Sequence, residues 1–241
     1  MVVTPHHTIF VDSCIGNNKP RDLAGWSMKT DDTFIRCLVA ACFSVNDIDY
    51  VMCTHMHVDH VPEGALRVWP TGVQLRECGE YENGKSDLYG QCPAGDRGGR
   101  GEIVKDNHQI GDHARLLPTP GHTPGHLAFF GKRGDDAVMS GDLMHSPLQE
   151  RYPELSVNFD VDQAESANTR RSFLERYCDT KTICCTAHFV PQSVARIKRW
   201  GEGFKCESVR VAFPQGASAS RVVRSPRSRA ISDAGELGHK Q

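Results

Sequence analysis

The 241 residues hold ten cysteines but no C-x-x-C pair and no zinc-ribbon spacing, which excludes a thioredoxin-like redox motif and a cysteine-built structural zinc site. No apolar run approaches the roughly 20 residues that cross a bilayer. The opening MVVTPHHTIF lacks a basic stretch leading into an apolar one, the pattern of a secretory signal. Net charge is also small, at -2 with a sequence pI of about 6.6. That balance gives no electrostatic pull toward nucleic acid or an anionic membrane and favours a small, neutral or modestly charged substrate. The expectations are a cytoplasmic chain without a membrane or nucleic-acid partner, with a homodimer left open. The cysteines, several of them inside RCLVAACF, DYVMCTH and KTICCTAHF, read as reduced thiols packed as small hydrophobes.

A hydrophobic share of 39% over this length is enough for one large α/β domain with a proper core, read here as residues 1–212. Residues 8–12 (TIFVD) read as a short buried strand ending in a turn at Gly16–Asn17. Residues 31–44 show helical spacing of Phe34, Leu38, Ala41 and Cys42 behind acidic start residues. A strand at 50–53 (YVMC) follows and runs directly into a histidine-rich loop, the place where α/β proteins build sites. The stretch 62–101 holds nine of the 22 glycines and shows no period, so it reads as a divergent insertion or a disordered loop. Strands are expected at 115–120, 126–131 and 136–142, the last two neighbours joined by a turn at Lys132–Asp135. A helix over 160–178 has Asp160 or Asp162 as its cap and Ala164, Ala167, Phe173, Leu174 and Tyr177 along one apolar face. KTICCTAHF gives another buried strand feeding a histidine. The serine- and arginine-rich tail, 213–241, reads as disordered.

The segment T-H-M-H-V-D-H at 54–60 sets three histidines and an aspartate within six residues. A string of this form arises by chance in roughly two chains per thousand of this composition. In an extended segment residues two apart point the same way, so His55 and His57 converge on one ion while Asp59 and His60, where the loop turns, face a second. Imidazole and carboxylate donors without cysteine suit Zn2+ in a catalytic rather than a closed structural site. Such a site needs further ligands, and His122 in TPGHTPGH, Asp142 in MSGDLMH and His188 in CTAHF all fall just after predicted strands.

These segments, in this order and together with FVDSCIGN at 10–17, resemble the five motifs of the metallo-β-lactamase superfamily. The resemblance covers most of residues 1–61 and 102–212. It lies nearest the branch of acyl-homoserine lactonases and methyl-parathion-type organophosphate hydrolases. It implies a four-layer αββα sandwich, here with N-terminal strands that precede TIFVD in relatives missing. It also implies two metal ions. His55, His57 and His122 would hold the first, Asp59, His60 and His188 the second, and Asp142 would bridge them. By the same resemblance His126 anchors its turn by hydrogen bonds, and Asp12 orients a ligand or the loop. His145 falls where related lactonases carry a tyrosine that contacts the substrate oxygen. Asp59, Asp142 and His145 are therefore the expected catalytic side chains.

The activity implied is that of a dinuclear-metal hydrolase in which a metal-bound hydroxide opens a lactone or similar ester. Three alternatives stand beside it. One is a phosphotriesterase using the same metals, another an iron-dependent persulfide dioxygenase, and the third an inactive truncated relative. His6, His7, His108, His113 and His239 have no metal spacing and are expected in solvent, and Arg151 and Tyr152 are candidates for the pocket wall or for surface packing.

Overall fold

The parallel pairing of two short strands sets the geometry of everything that follows. In the computed structural model β2 (Thr8–Val11) pairs with β3 (Tyr50–Met52) in the register Ile9↔Tyr50 through Val11↔Met52, so both strands finish on the same edge. The model describes residues 1–12, 15–21, 23–60, 73–74, 101–102, 104, 107–131, 136–190 and 193–209. The expected turn at Lys132–Asp135, the tail 213–241 and most of the glycine-rich stretch lie outside them.

The first sheet has the order β1-β2-β3-β4-β5, with β1 (Val2–Val3) antiparallel to β2. Strands β4 (Val73–Gln74) and β5 (Gly101–Glu102) continue it in parallel, so the aperiodic stretch contributes two short strands that no pattern announced. Among the described residues β1 precedes the TIFVD strand. The second sheet runs β12-β11-β10-β9-β8-β7-β6. Its strands are β6 (Gln109–Ile110), β7 (Ala114–Pro118), β8 (Leu127–Gly131), β9 (Ala137–Met139), β10 (Ile183–Cys185), β11 (Val194–Trp200) and β12 (Gly203–Ser208). Among them only β9 and β10 pair in parallel. The expected neighbours at 126–131 and 136–142 do pair, Phe129↔Met139 through Gly131↔Ala137.

Alternation along each strand builds four layers. Phe10 and Val51 turn outward to meet Phe34 and Leu38 of helix α1 (Thr33–Ala40). Their neighbours Ile9 and Met52 turn inward and pack with Leu116, Leu127 and Phe129 of the second sheet. On that sheet's other side Leu117, Ala128, Val138, Cys184 and Ile197 receive Phe173, Leu174 and Tyr177 of helix α3 (Gln163–Tyr177). The sequence of layers is helix, sheet, sheet, helix, as expected. A short helix α2 (Leu148–Arg151) precedes α3.

Asp162 is the residue that caps α3, accepting from the Glu165 backbone N–H at 2.9 Å. The buried stripe of α3 is Ser166, Arg170, Phe173, Leu174 and Tyr177. Of the face expected from sequence, Phe173, Leu174 and Tyr177 hold, whereas Ala164 is exposed and Ala167 half-buried. The i, i+4 row that turns inward begins at Ser166 and Arg170, two polar positions that an apolar count passes over.

Candidate metal centre

Five loops at strand ends converge on one point. Asp12 follows β2 with φ 55°, a left-handed conformation that aspartate tolerates better than most residues. Because β2 and β3 end together, its carboxylate reaches the next loop. Oδ1 accepts from the Thr54 backbone N–H at 2.7 Å, Oδ2 accepts from Thr54 Oγ1 at 2.9 Å, and Oδ2 lies 2.9 Å from His60 Nδ1. The segment His55–His60 is thereby held against the first sheet, with His60 N–H also donating to the His57 carbonyl at 2.9 Å.

His122 sits between β7 and β8, in a turn that includes Gly121 at φ 121°. A Cβ at Gly121 would collide with the Ser166 backbone nitrogen, so this turn packs directly on the start of α3. Asp142 occupies a 3-10 turn after β9, preceded by Gly141 at φ 52°. His188 follows β10.

The donor atoms form two groups, each lying within 4.8 Å: His55, His57, His122 and Asp142, and Asp59, His60, Asp142 and His188. Asp142 belongs to both. Its Oδ2 faces His55 Nε2 at 3.7 Å and His122 Nε2 at 3.5 Å, and its Oδ1 faces His60 Nε2 and His188 Nε2, each at 3.0 Å. His57 Nδ1 and His122 Nε2 are 2.9 Å apart, and Asp59 Oδ2 lies 3.7 Å from His60 Nε2 and 4.0 Å from His188 Nε2. All seven residues that the sequence nominated as ligands thus meet.

Within these two groups the buried atoms His55 Nε2, His188 Nε2 and Asp142 Oδ1 make no aligned hydrogen bond. Lone pairs converging in this way are what a cation satisfies, and buried polar atoms without such a partner are costly. Burial, and next to it the neighbouring imidazoles, hold His55 well below its ordinary pKa and His57 down at about 3. Both are neutral at physiological pH and ready to ligate. Burial also pushes His60 down, but the Asp12 and Asp142 carboxylates override it and hold the imidazole well above its usual range, so the second group favours positive charge. Burial pushes Asp142 up, yet His60 and the contacts of His145 and His188 hold it ionised, well below the usual carboxylate range.

His126 belongs to neither group. Its Nε2 accepts from the Asp142 backbone N–H at 3.1 Å, leaving Nδ1 to donate to Thr119 Oγ1 at 2.7 Å, so it anchors the turn as expected. His145 lies over the centre with Nε2 3.2 Å from Asp142 Oδ2, its ring stacked on His188 at 4.9 Å and 12°. Its backbone N–H donates to Gln149 Oε1 at 2.7 Å.

The solvent expectation is corrected for three other histidines. His7 is half-buried with its ring 5.1 Å from that of Tyr50, and His108 and His113 are also half-buried, because the short β6–β7 hairpin brings them onto the sheet edge; His6 alone of these is exposed. His239 lies outside the described residues. Arg151 donates to the Trp200 carbonyl at 2.7 Å and lies over the Tyr152 and Trp200 rings, which makes it a packing residue. Sequence reasoning also missed Asp160, whose Oδ1 is 2.9 Å from His122 Nδ1, and the wholly buried Arg170 beside it. The available signal was a charged residue on the stripe that also carries Phe173, Leu174 and Tyr177.

The sequence model of the metallo-beta-lactamase superfamily matches residues 1–188. The chain belongs to that superfamily. Among characterised members it is similar to the N-acyl homoserine lactonase AiiA of Bacillus thuringiensis subsp. kurstaki, 27% identical over 106 residues. That alignment takes in 43% of this chain and 40% of the lactonase's length. A probable metallo-hydrolase, YybB of Bacillus subtilis (strain 168), is 24% identical over 165 residues, 65% of this chain and 71% of that protein. Solved superfamily structures share the fold. AidC, a dizinc quorum-quenching lactonase in complex with a product, superposes with a TM-score of 0.66 at 20% identity over 88% of this chain and 78% of its own. The hydrolase AbOPH gives 0.70 at 16% identity over 87% and 78%.

Proposed function

We propose that this superfamily member is a hydrolase that holds two divalent ions, zinc by preference, and opens a lactone or similar ester. The observation that carries the reading is Asp142, whose two oxygens serve two separate clusters of histidine donors. Neutral imidazoles and carboxylates in a cluster without cysteine suit zinc. Held by these residues, divalent ions would supply a water of pKa lowered from about 16 toward 7 and Lewis-acid polarisation of a carbonyl.

The chain's own residues do the rest. His55, His57 and His122 with Asp142 Oδ2 form the first donor set, and Asp59, His60 and His188 with Oδ1 the second. Asp59 lies on the more open side, with its carboxylate placed to take the proton released as water is consumed. His145, held by Gln149 at the rim of Asp142, is the group placed to hydrogen-bond the substrate oxygen. The partial likeness to an N-acyl homoserine lactonase supports a lactone substrate. The seven described cysteines that are free, three of them half-buried and two buried, support a reducing compartment such as the cytoplasm.

Metal content measured together with turnover of an acyl-homoserine lactone and an aryl phosphotriester tests the proposal. Two equivalents of zinc and ring opening are expected. Turnover of the phosphotriester alone would move the substrate class. A single iron with oxygen uptake would replace hydrolysis by persulfide oxidation, and a chain that takes up no metal would be an inactive relative.

A further inference from the structure

Arg170 is the largest wholly buried side chain among the described residues, and it sits on a helix with no residue nominated as a ligand. Its guanidinium has five N–H donors, and the structure gives each a partner. Nε donates to the Leu143 carbonyl at 2.7 Å, and Nη1 donates to the Pro153 and Leu155 carbonyls at 2.7 and 2.6 Å. The second terminal nitrogen donates to Ser166 Oγ at 2.9 Å and to Asp160 Oδ2 at 3.5 Å. Leu143 directly follows Asp142. Asp160 Oδ1 in turn meets His122 Nδ1 at 2.9 Å. Ser166 belongs to the helix start on which Gly121 rests. One buried cation therefore bonds the Asp142 turn directly and reaches the His122 turn through Asp160 and Ser166.

We infer that the Asp160–Arg170 pair is a positioning device for the metal centre, fixing the tautomer of His122 and locking its turn to that of Asp142. The inference rests on the two-metal reading above. With Asp160 accepting from Nδ1–H, the lone pair of His122 stays on Nε2, the atom that faces Asp142 Oδ2. Arg170 neutralises Asp160 at its other oxygen and ties the same assembly to the Leu143 carbonyl. Lysine cannot replace it, because a single ammonium with three donors cannot span five acceptors held in a planar fork.

The test uses cobalt-substituted full-length protein, with the first and second equivalents followed by visible absorption and chelator competition. Asp160→Asn keeps an acceptor for His122 but removes the charge, and Arg170→Lys keeps the charge but removes the fork. Each should weaken cobalt at the His55–His57–His122 cluster by about 10- to 100-fold and alter its absorption bands. Phe173→Leu, on the same helix face and away from the ligands, is the control for general loss of stability and should leave both equivalents within about threefold. Wild-type affinity at both clusters in Asp160→Asn and Arg170→Lys overturns this inference alone. Equal weakening in Phe173→Leu also overturns it, by showing that any loss of core packing does the same. A wild-type chain that takes up no cobalt overturns the metal reading itself and this inference with it.

Discussion

Gly141→Ala tests whether backbone geometry, rather than ligand identity alone, holds the bridging carboxylate. Gly141 adopts φ 52°, and a Cβ there would stand 2.7 Å from His126 Nε2 and 2.7 Å from Thr54 Oγ1. Both neighbours are buried, and both are fixed by other bonds, His126 to Thr119 and the Asp142 backbone, Thr54 to Asp12. The left-handed backbone costs an alanine about 1–2 kcal/mol. Pushing His126 away breaks its bond from the Asp142 N–H and leaves buried polar groups unpaired, for about 1–3 kcal/mol more. The total, about 2–5 kcal/mol, is a large fraction of the stability of an ordinary domain. Because the displaced unit is Asp142 itself, metal content should fall as well. Gly131→Ala is the matched comparison, since a Cβ there meets only Phe129 and Val2 carbons at an ordinary 3.8 Å and the alanyl carbonyl oxygen of residue 137 at 4.0 Å. Urea unfolding of the two variants, with metal analysis of each, decides the matter. If Gly141→Ala unfolds at the wild-type midpoint and retains its metal, close packing beneath Asp142 does not govern the site.

Three further outcomes are expected. His145→Ala should lower kcat by about 100-fold, the scale of a positioned proton donor, while two metal equivalents remain; unchanged turnover would remove His145 from the reaction. His126 titrates at about 3 instead of 6.5, chiefly through burial, so between those values the unfolded chain binds a proton that the folded one does not. Stability should therefore fall as pH drops from 6.5 toward 3, by up to about 1.4 kcal/mol per unit from this group. His126→Gln should flatten the dependence of the urea midpoint on pH, and parallel slopes for the two proteins would contradict the assignment. Stripping metal with a chelator should lower the unfolding free energy by about 4 kcal/mol for each site whose free ion stands at a thousandfold excess over Kd, and the urea midpoint with it, and zinc should restore both; indifference to the chelator would count against bound metal.

The residues of the two donor groups were legible because each lies in a short motif directly after a strand, and strand ends are predictable from apolar runs. His55 to His60 needed only local periodicity, and Asp142 and His188 only the observation that the apolar stretches AVMSGD and KTICCTAH end in a donor. Asp160 was visible merely as a possible helix cap. Its partner His122 is 38 positions away, and no local pattern encodes that distance. Arg170 was hidden for the opposite reason, since arginine on a helix is ordinarily solvated and only the packing of α3 reveals that this one is enclosed. Strands β4 and β5, two residues each, are too short for any period to show. The β11–β12 hairpin does carry a signal, with Ala195 and Ile197 inward between half-buried Arg196 and Lys198 and Gly201 at φ 57° in the turn, although no motif marks it.

The two donor clusters differ in how they meet solvent. Side chains of His55 and His122 are 0% and 1% exposed, whereas Asp59 and His188 are 19% and 35% exposed. An ion at the second cluster would therefore sit nearer to water than one at the first. A chelator would accordingly reach the shallow berth sooner than the deep one, and the two would empty at different rates.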